Sequence, residues 1–89
     1  MNLAELLWTA RNAGFELTGA NGIPITPELE EGLEEDNLMN EEARVRFREP
    51  EEEGDPTVIA DVGVGQQVFY IVGDARDLEE FRARIESGP

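Results

Sequence analysis

A chain of 89 residues with 39% hydrophobic residues, one Trp, one Tyr, four Phe and no Cys carries the apolar content of one small folded domain, held by packing alone, without disulfide, thiolate metal site or redox thiol. Its 21 acidic residues against 7 Arg, with neither Lys nor His, give a net charge of −14, which excludes binding of nucleic acid by counterion release. The absence of His, Cys and Lys removes the usual bases and nucleophiles, and no run approaches the roughly 18 apolar residues of a membrane span.

The opening residues have neither the basic nor the apolar stretch of a signal peptide, so a cytoplasmic setting is expected. Leu3, Leu6, Leu7 and Ala10 recur at helical spacing, Trp8 lies beside them, and Asn2 with Glu5 forms a capping-box pattern; together they predict a helix over 2–13. Gly14 stops it. Phe15 and Leu17 then form a short strand or the hydrophobic contact that closes the helix cap. Asn21-Gly22 is a turn signal, after which Ile23 and Ile25 can pair back.

Thr26 as N-cap, Pro27 at the first helical position and Glu28 in the first turn predict a second helix. Its apolar edge, Leu29 and Leu33, is narrow and interrupted by Gly32. Glu30, Glu31, Glu34, Glu35 and Asp36 repel one another, so this helix is expected to be short and to lean on tertiary contacts. Leu38 and Met39, in the turn that follows, plug the core or remain as a contact patch, with the core the favoured place.

Over 43–48 the period changes from helical to alternating. Val45 and Phe47 define a buried face and Arg44, Arg46 and Arg48 a wet one, as in a half-buried strand. The arginines either pair across the sheet and with neighbouring Glu, or form an anion-contacting stripe. Residues 49–56, with two Pro, one Gly and five acids, predict a mobile connection. Residues 57–64 and 67–72, rich in β-branched and aromatic types and joined through a bend supplied by Gly63, Gly65 and Gln66, predict a hairpin. Asp61 should point out of it, toward the arginines. A last helix is expected from about Asp77 to Glu86, with Leu78, Phe81 and Ile85 on its buried face and charge pairs four apart.

These elements make one domain over 1–89, an α+β fold in which a small antiparallel sheet of three or more strands packs with N- and C-terminal helices. The charge is uneven: residues 28–55 hold 13 acids and 3 Arg, net −10, against 8 acids and 4 Arg, net −4, elsewhere.

Ser87 is the sole serine and lies next to the tail, so no serine triad is expected. The segment 36–42 lacks the alternating ligands and central Gly of a calcium loop, and Gly63-Val64-Gly65 is followed by a strand rather than a phosphate-binding helix end. The sequence therefore predicts no enzyme, no cofactor and no metal site. A carboxylate-only hydrolase would need two acids about 5–9 Å apart in a pocket.

The helix over 3–13, then Gly14-Phe15-Glu16-Leu17, then Thr26-Pro27-Glu28-Leu29, resembles the helix, strand and helix entry of TubC-type docking domains from megasynthases. The likeness covers the first third of the chain. The segment between Leu17 and Thr26 is shorter than that family's hairpin, and the arginine strand and C-terminal hairpin and helix have no place in it. It implies an element order and no function.

The expectation is an interaction protein that binds and modulates or inhibits a protein with a basic surface, such as a nucleic-acid-binding protein countered by a DNA mimic of the kind phages carry. The residues expected to meet the partner are Glu28, Glu30, Glu31, Glu34, Glu35, Asp36, Glu41, Glu42, Glu51, Glu52 and Glu53, with Leu38, Met39 or Trp8 as apolar anchors. The alternative is a docking or regulatory subunit whose acid serves solubility, marked by an exposed patch of Leu7, Trp8 and Phe15. A homodimer is left open.

Overall fold

Helix α1 (Leu3–Asn12) opens on the expected capping box: the Asn2 side chain accepts from the Glu5 amide (2.8 Å) and the Glu5 carboxylate accepts from the Asn2 amide (3.2 Å). At its other end Gly14 takes φ +86°, the Phe15 amide donates to the Ala10 carbonyl (2.8 Å) and the Gly14 amide to that of Arg11 (3.2 Å). That is a Schellman closure, and it drives the Phe15 ring into the core. The computed structural model describes residues 1–19, 21–49 and 56–87 of the chain.

Strand β1 (Glu16–Thr18) follows at once, and from Asn21 the chain runs back alongside it. The return makes a single bridge, Thr18 to Pro24, flanked by bonds from the Ile25 amide to the Leu17 carbonyl and the Gly19 amide to the Ile23 carbonyl (both 3.0 Å). Pro24 has no N–H to extend the ladder, which explains why no full strand forms there. Helix α2 (Pro27–Glu35) is capped by Thr26 and leads through a 3-10 turn (Leu38–Asn40) into β2 (Ala43–Phe47). Leu38 and Met39 are half-buried and pack on the core, the favoured of their two expected places.

Strands β3 (Pro56–Val64) and β4 (Gln67–Asp74) form the expected hairpin, with Gly65 at φ +59° as the first turn residue. The sheet has the order β1-β4-β3-β2, antiparallel throughout. A bulge between Val58 and Ala60 breaks the alternation, so that Ile59 and Ala60 in succession are both fully buried. Helix α3 (Leu78–Ser87) comes after a 3-10 turn (Ala75–Asp77) in which Arg76 binds Asp74.

One face of the sheet, carrying Leu17, Ile71, Ala60, Phe69, Val62 and Val64, forms the core together with Leu3, Leu6, Leu7 and Ala10 of α1 and Leu78 and Phe81 of α3. The Phe81 ring lies 4.6 Å from that of Phe15 and 6.1 Å, edge-on, from that of Phe47. Gly73 is there because Phe15 lies on it: a Cβ at 73 would overlap that ring. This is the α+β arrangement expected of the sequence, with four strands and three helices.

Candidate functional site

Helix α2 differs from the other two in what it buries and how it is charged. It buries no residue; Leu33 is half-buried against the core and Leu29 is 47% exposed. Its anchor is electrostatic. The Arg11 guanidinium meets the Glu30 carboxylate with two bonds (3.1 and 3.2 Å) and also donates to the Ile25 carbonyl at the helix entry (3.1 Å).

Helices α1 and α3 each place acid in the first turn and arginine in the last, complementing the helix dipole. α2 has acid at both ends and no base in its last turn. Glu34 and Glu35 stand where negative charge opposes the dipole, and Glu31 and Glu35 form a like-charged pair four apart.

At 100° per residue, Leu29, Gly32, Leu33 and Asp36 fall on one side of α2 and Glu31 and Glu34 on the opposite side, with Glu28 and Glu35 on the flank between. The first side forms the wall of an open groove of about 730 Å³, whose opposite wall comes from Ile23, Ile25 and the hairpin residues Val68 and Phe69. Four large hydrophobic side chains are notably exposed in the described structure, and three of them, Ile23 (52%), Leu29 (47%) and Val68 (46%), line this groove. Five carboxylates over 28–36 have no ion-pair partner among the described residues (Glu28, Glu31, Glu34, Glu35, Asp36); Asp36 lines the cleft and the other four stand elsewhere on the helix, so the cleft can take an apolar side chain while the helix beside it attracts cations.

The remaining expected contact residues scatter. Glu30 is taken by Arg11, and Glu42 by the N-terminal ammonium group (3.2 Å). Glu41 is exposed and lends its backbone carbonyl to the Leu3 amide. Glu51, Glu52 and Glu53, with most of the expected mobile connection, lie outside the described residues. Leu38 and Met39, expected as apolar anchors, are half-buried and pack on the core, whereas Ile23, Leu29 and Val68 are exposed. The patch of Leu7, Trp8 and Phe15 does not exist: Leu7 and Phe15 are buried, and Trp8 stands out alone at 69% exposure.

The uncovered face of the sheet carries the arginine strand. Asp61 does point toward it: its Oδ1 lies 2.7 Å from Arg48 Nη2, yet no N–H is aimed well enough for a hydrogen bond, so this is an ion pair by proximity alone. Arg44 crosses over Gly63 to donate to the Gly65 carbonyl (2.8 Å). Elsewhere, Asp77 and Glu80 share a pocket of about 240 Å³, where Arg84 binds Glu80 (3.3 Å). On α3, the hydrogen bond from Arg82 to Glu86 pushes the guanidinium above its ordinary value.

Among the described residues no three acidic side chains converge as metal ligands, and no helix is long and apolar enough to cross a membrane. The protein is a small α+β domain with an open apolar groove beside the acidic helix α2. No family model matches the sequence, and no curated protein or solved structure matches it.

Proposed function

We propose that this is a non-catalytic interaction module that captures a protein with a basic surface through α2 and the groove beside it, and so modulates or inhibits that protein. The observation that carries the reading is the charge order of α2. Glu34 and Glu35 oppose the helix dipole and repel their neighbours, at a cost of a few tenths of a kcal/mol each, whereas α1 ends on Arg11 and α3 offsets its one late acid, Glu86, with Arg82 and Arg84. A local rule broken without structural return points to selection for contact.

The charge density of α2 supports a partner that ordinarily meets nucleic acid. Five carboxylates without an ion-pair partner among the described residues, from Glu28 to Asp36, span about 12 Å of helix at ~1.5 Å per residue, roughly one charge per 3 Å. Duplex DNA carries one per about 1.7 Å of its axis and each of its strands one per about 3.4 Å.

The test is titration with a synthetic amphipathic helix presenting arginine on one face and leucine on the other, against a scrambled peptide of equal composition. The ordered peptide should bind more tightly, perturb amides over 23–36 and 66–69, and lose affinity between ~0.05 M and ~0.5 M salt, as the screening length falls from roughly 14 to 4 Å. Equal affinity for the scramble, or binding indifferent to salt, would refute the reading.

A further inference from the structure

In a chain with three times as many acids as arginines, each guanidinium should find a carboxylate, and five do: Arg11, Arg48, Arg76, Arg82 and Arg84. The two exceptions are neighbours on one face of β2. Arg44 donates to a backbone carbonyl, and Arg46 has neither an ion-pair nor a hydrogen-bond partner among the described residues, although Asp61 is directly opposite it on β3. Arg48, diagonal to Asp61, has taken that carboxylate instead.

The same strand is an open edge of the sheet. The bond from the Arg48 amide to the Ile59 carbonyl (2.8 Å) sets the phase of the ladder: Arg44 and Arg46 turn their backbone groups toward β3, and Ala43, Val45 and Phe47 turn theirs outward. Residues 1–3 show what this edge accepts. The Ala43 amide donates to the Met1 carbonyl and the Leu3 amide to the Glu41 carbonyl (both 3.0 Å), around the bridge Asn2 to Glu42. Beyond Ala43, the outward N–H and C=O groups of Val45 and Phe47 have no backbone partner among the described residues.

The geometry points to β2 as the acceptor of a partner's extended segment, added as a fifth strand beyond Val45 and Phe47, with acidic residues at the positions facing Arg44 and Arg46. Backbone bonds hold the segment, and cross-strand neighbours about 5 Å apart choose it. Apolar residues at its intervening positions would meet Val45 and Phe47, which are half-buried. A second copy of this chain is a poor occupant, because antiparallel pairing of β2 with itself sets arginine against arginine. Charge on an edge strand repels indiscriminate pairing, and here the same charge selects the strand that is admitted. This surface lies apart from α2 and stands or falls independently of the function proposed above.

The test uses a short capped peptide alternating glutamate and valine, and its lysine and valine counterpart, with amide hydrogen exchange on the whole protein. The glutamate peptide should slow exchange at Val45 and Phe47, and the lysine peptide should not. Arg46→Gln should weaken the glutamate peptide about 2- to 5-fold, the worth of one cross-strand charge pair. Arg46→Glu should invert the preference; Arg46 is exposed and makes no hydrogen bond or ion pair among the described residues, so both variants should fold. Unchanged exchange at Val45 and Phe47, equal affinity for the two peptides, or protection that rises with protein concentration in the absence of peptide would each overturn the proposal.

Discussion

Gly32→Ala should strengthen α2 and leave the core untouched. Gly32 lies inside the helix, and a Cβ built there meets nothing within 4 Å, so the methyl introduces no clash. Alanine gains about 0.5–1 kcal/mol over glycine at such a site, mostly by narrowing the unfolded ensemble. Because α2 buries no residue, it should open before the sheet does. The gain then appears as amide exchange slowed about 2- to 5-fold over residues 30–36, with little change in the global transition. If α2 unfolds only with the rest, the same gain raises the Tm by roughly 2–8 °C. The methyl also projects into the groove beside Leu29 and Leu33, so affinity for the leucine-faced peptide should fall as stability rises. Faster exchange together with a lower Tm would refute the placement of Gly32 in an open helix wall.

Gly73→Ala should destabilise by about 1–3 kcal/mol in urea unfolding, since the new Cβ displaces the Phe15 ring from the core; a neutral result would mean that ring does not lie on the strand. Glu34→Gln combined with Glu35→Gln should stabilise α2 by about 0.5–1 kcal/mol through the dipole and the relieved repulsion, read as slower exchange. A loss of stability there would remove the argument that these carboxylates are kept for contact. Arg11→Met should release the helix entry, speeding exchange in α2 before that of β3 and β4; equal acceleration everywhere would show that α2 is not separately tethered.

The fold was legible wherever local pattern and tertiary structure agree. The capping box of α1, the alternation of β2, the hairpin through Gly65 and the buried face of α3 each follow from spacing, and each is found in place. The order of the strands was not legible, because β1 pairs with β4 across more than fifty residues and three residues of strand carry no signal of their partner. The bulge at Ile59 was hidden as well, since it violates the very alternation by which strands are read.

The acidic half of the candidate site could be read from charge. Its apolar half could not: Ile23 sits beside a turn dipeptide and Val68 in a strand that reads as buried, and only the tertiary position of α2 brings them together. Leu38 and Met39, for which the sequence left both the core and a contact patch open with the core favoured, are drawn inward by the 3-10 turn that follows the left-handed Asn37. Gly32 could have marked the groove, as an exposed glycine inside a helix that gains nothing from it.

The central claim is that the position of the acid on α2, and not its total, is what a partner meets. Two variants of equal charge separate these. One carries Glu28→Gln, Glu31→Gln, Glu34→Gln and Glu35→Gln; the other carries Glu16→Gln, Glu49→Gln, Asp77→Asn and Glu79→Gln, exposed carboxylates remote in sequence from α2. Each falls from −14 to −10. At about 0.5 kcal/mol for each surface charge pair, the α2 variant should bind the arginine and leucine helix roughly 30-fold more weakly than the parent, and the control nearly as well as the parent. Equal weakening of both would show that charge acts only in bulk, and would contradict the account.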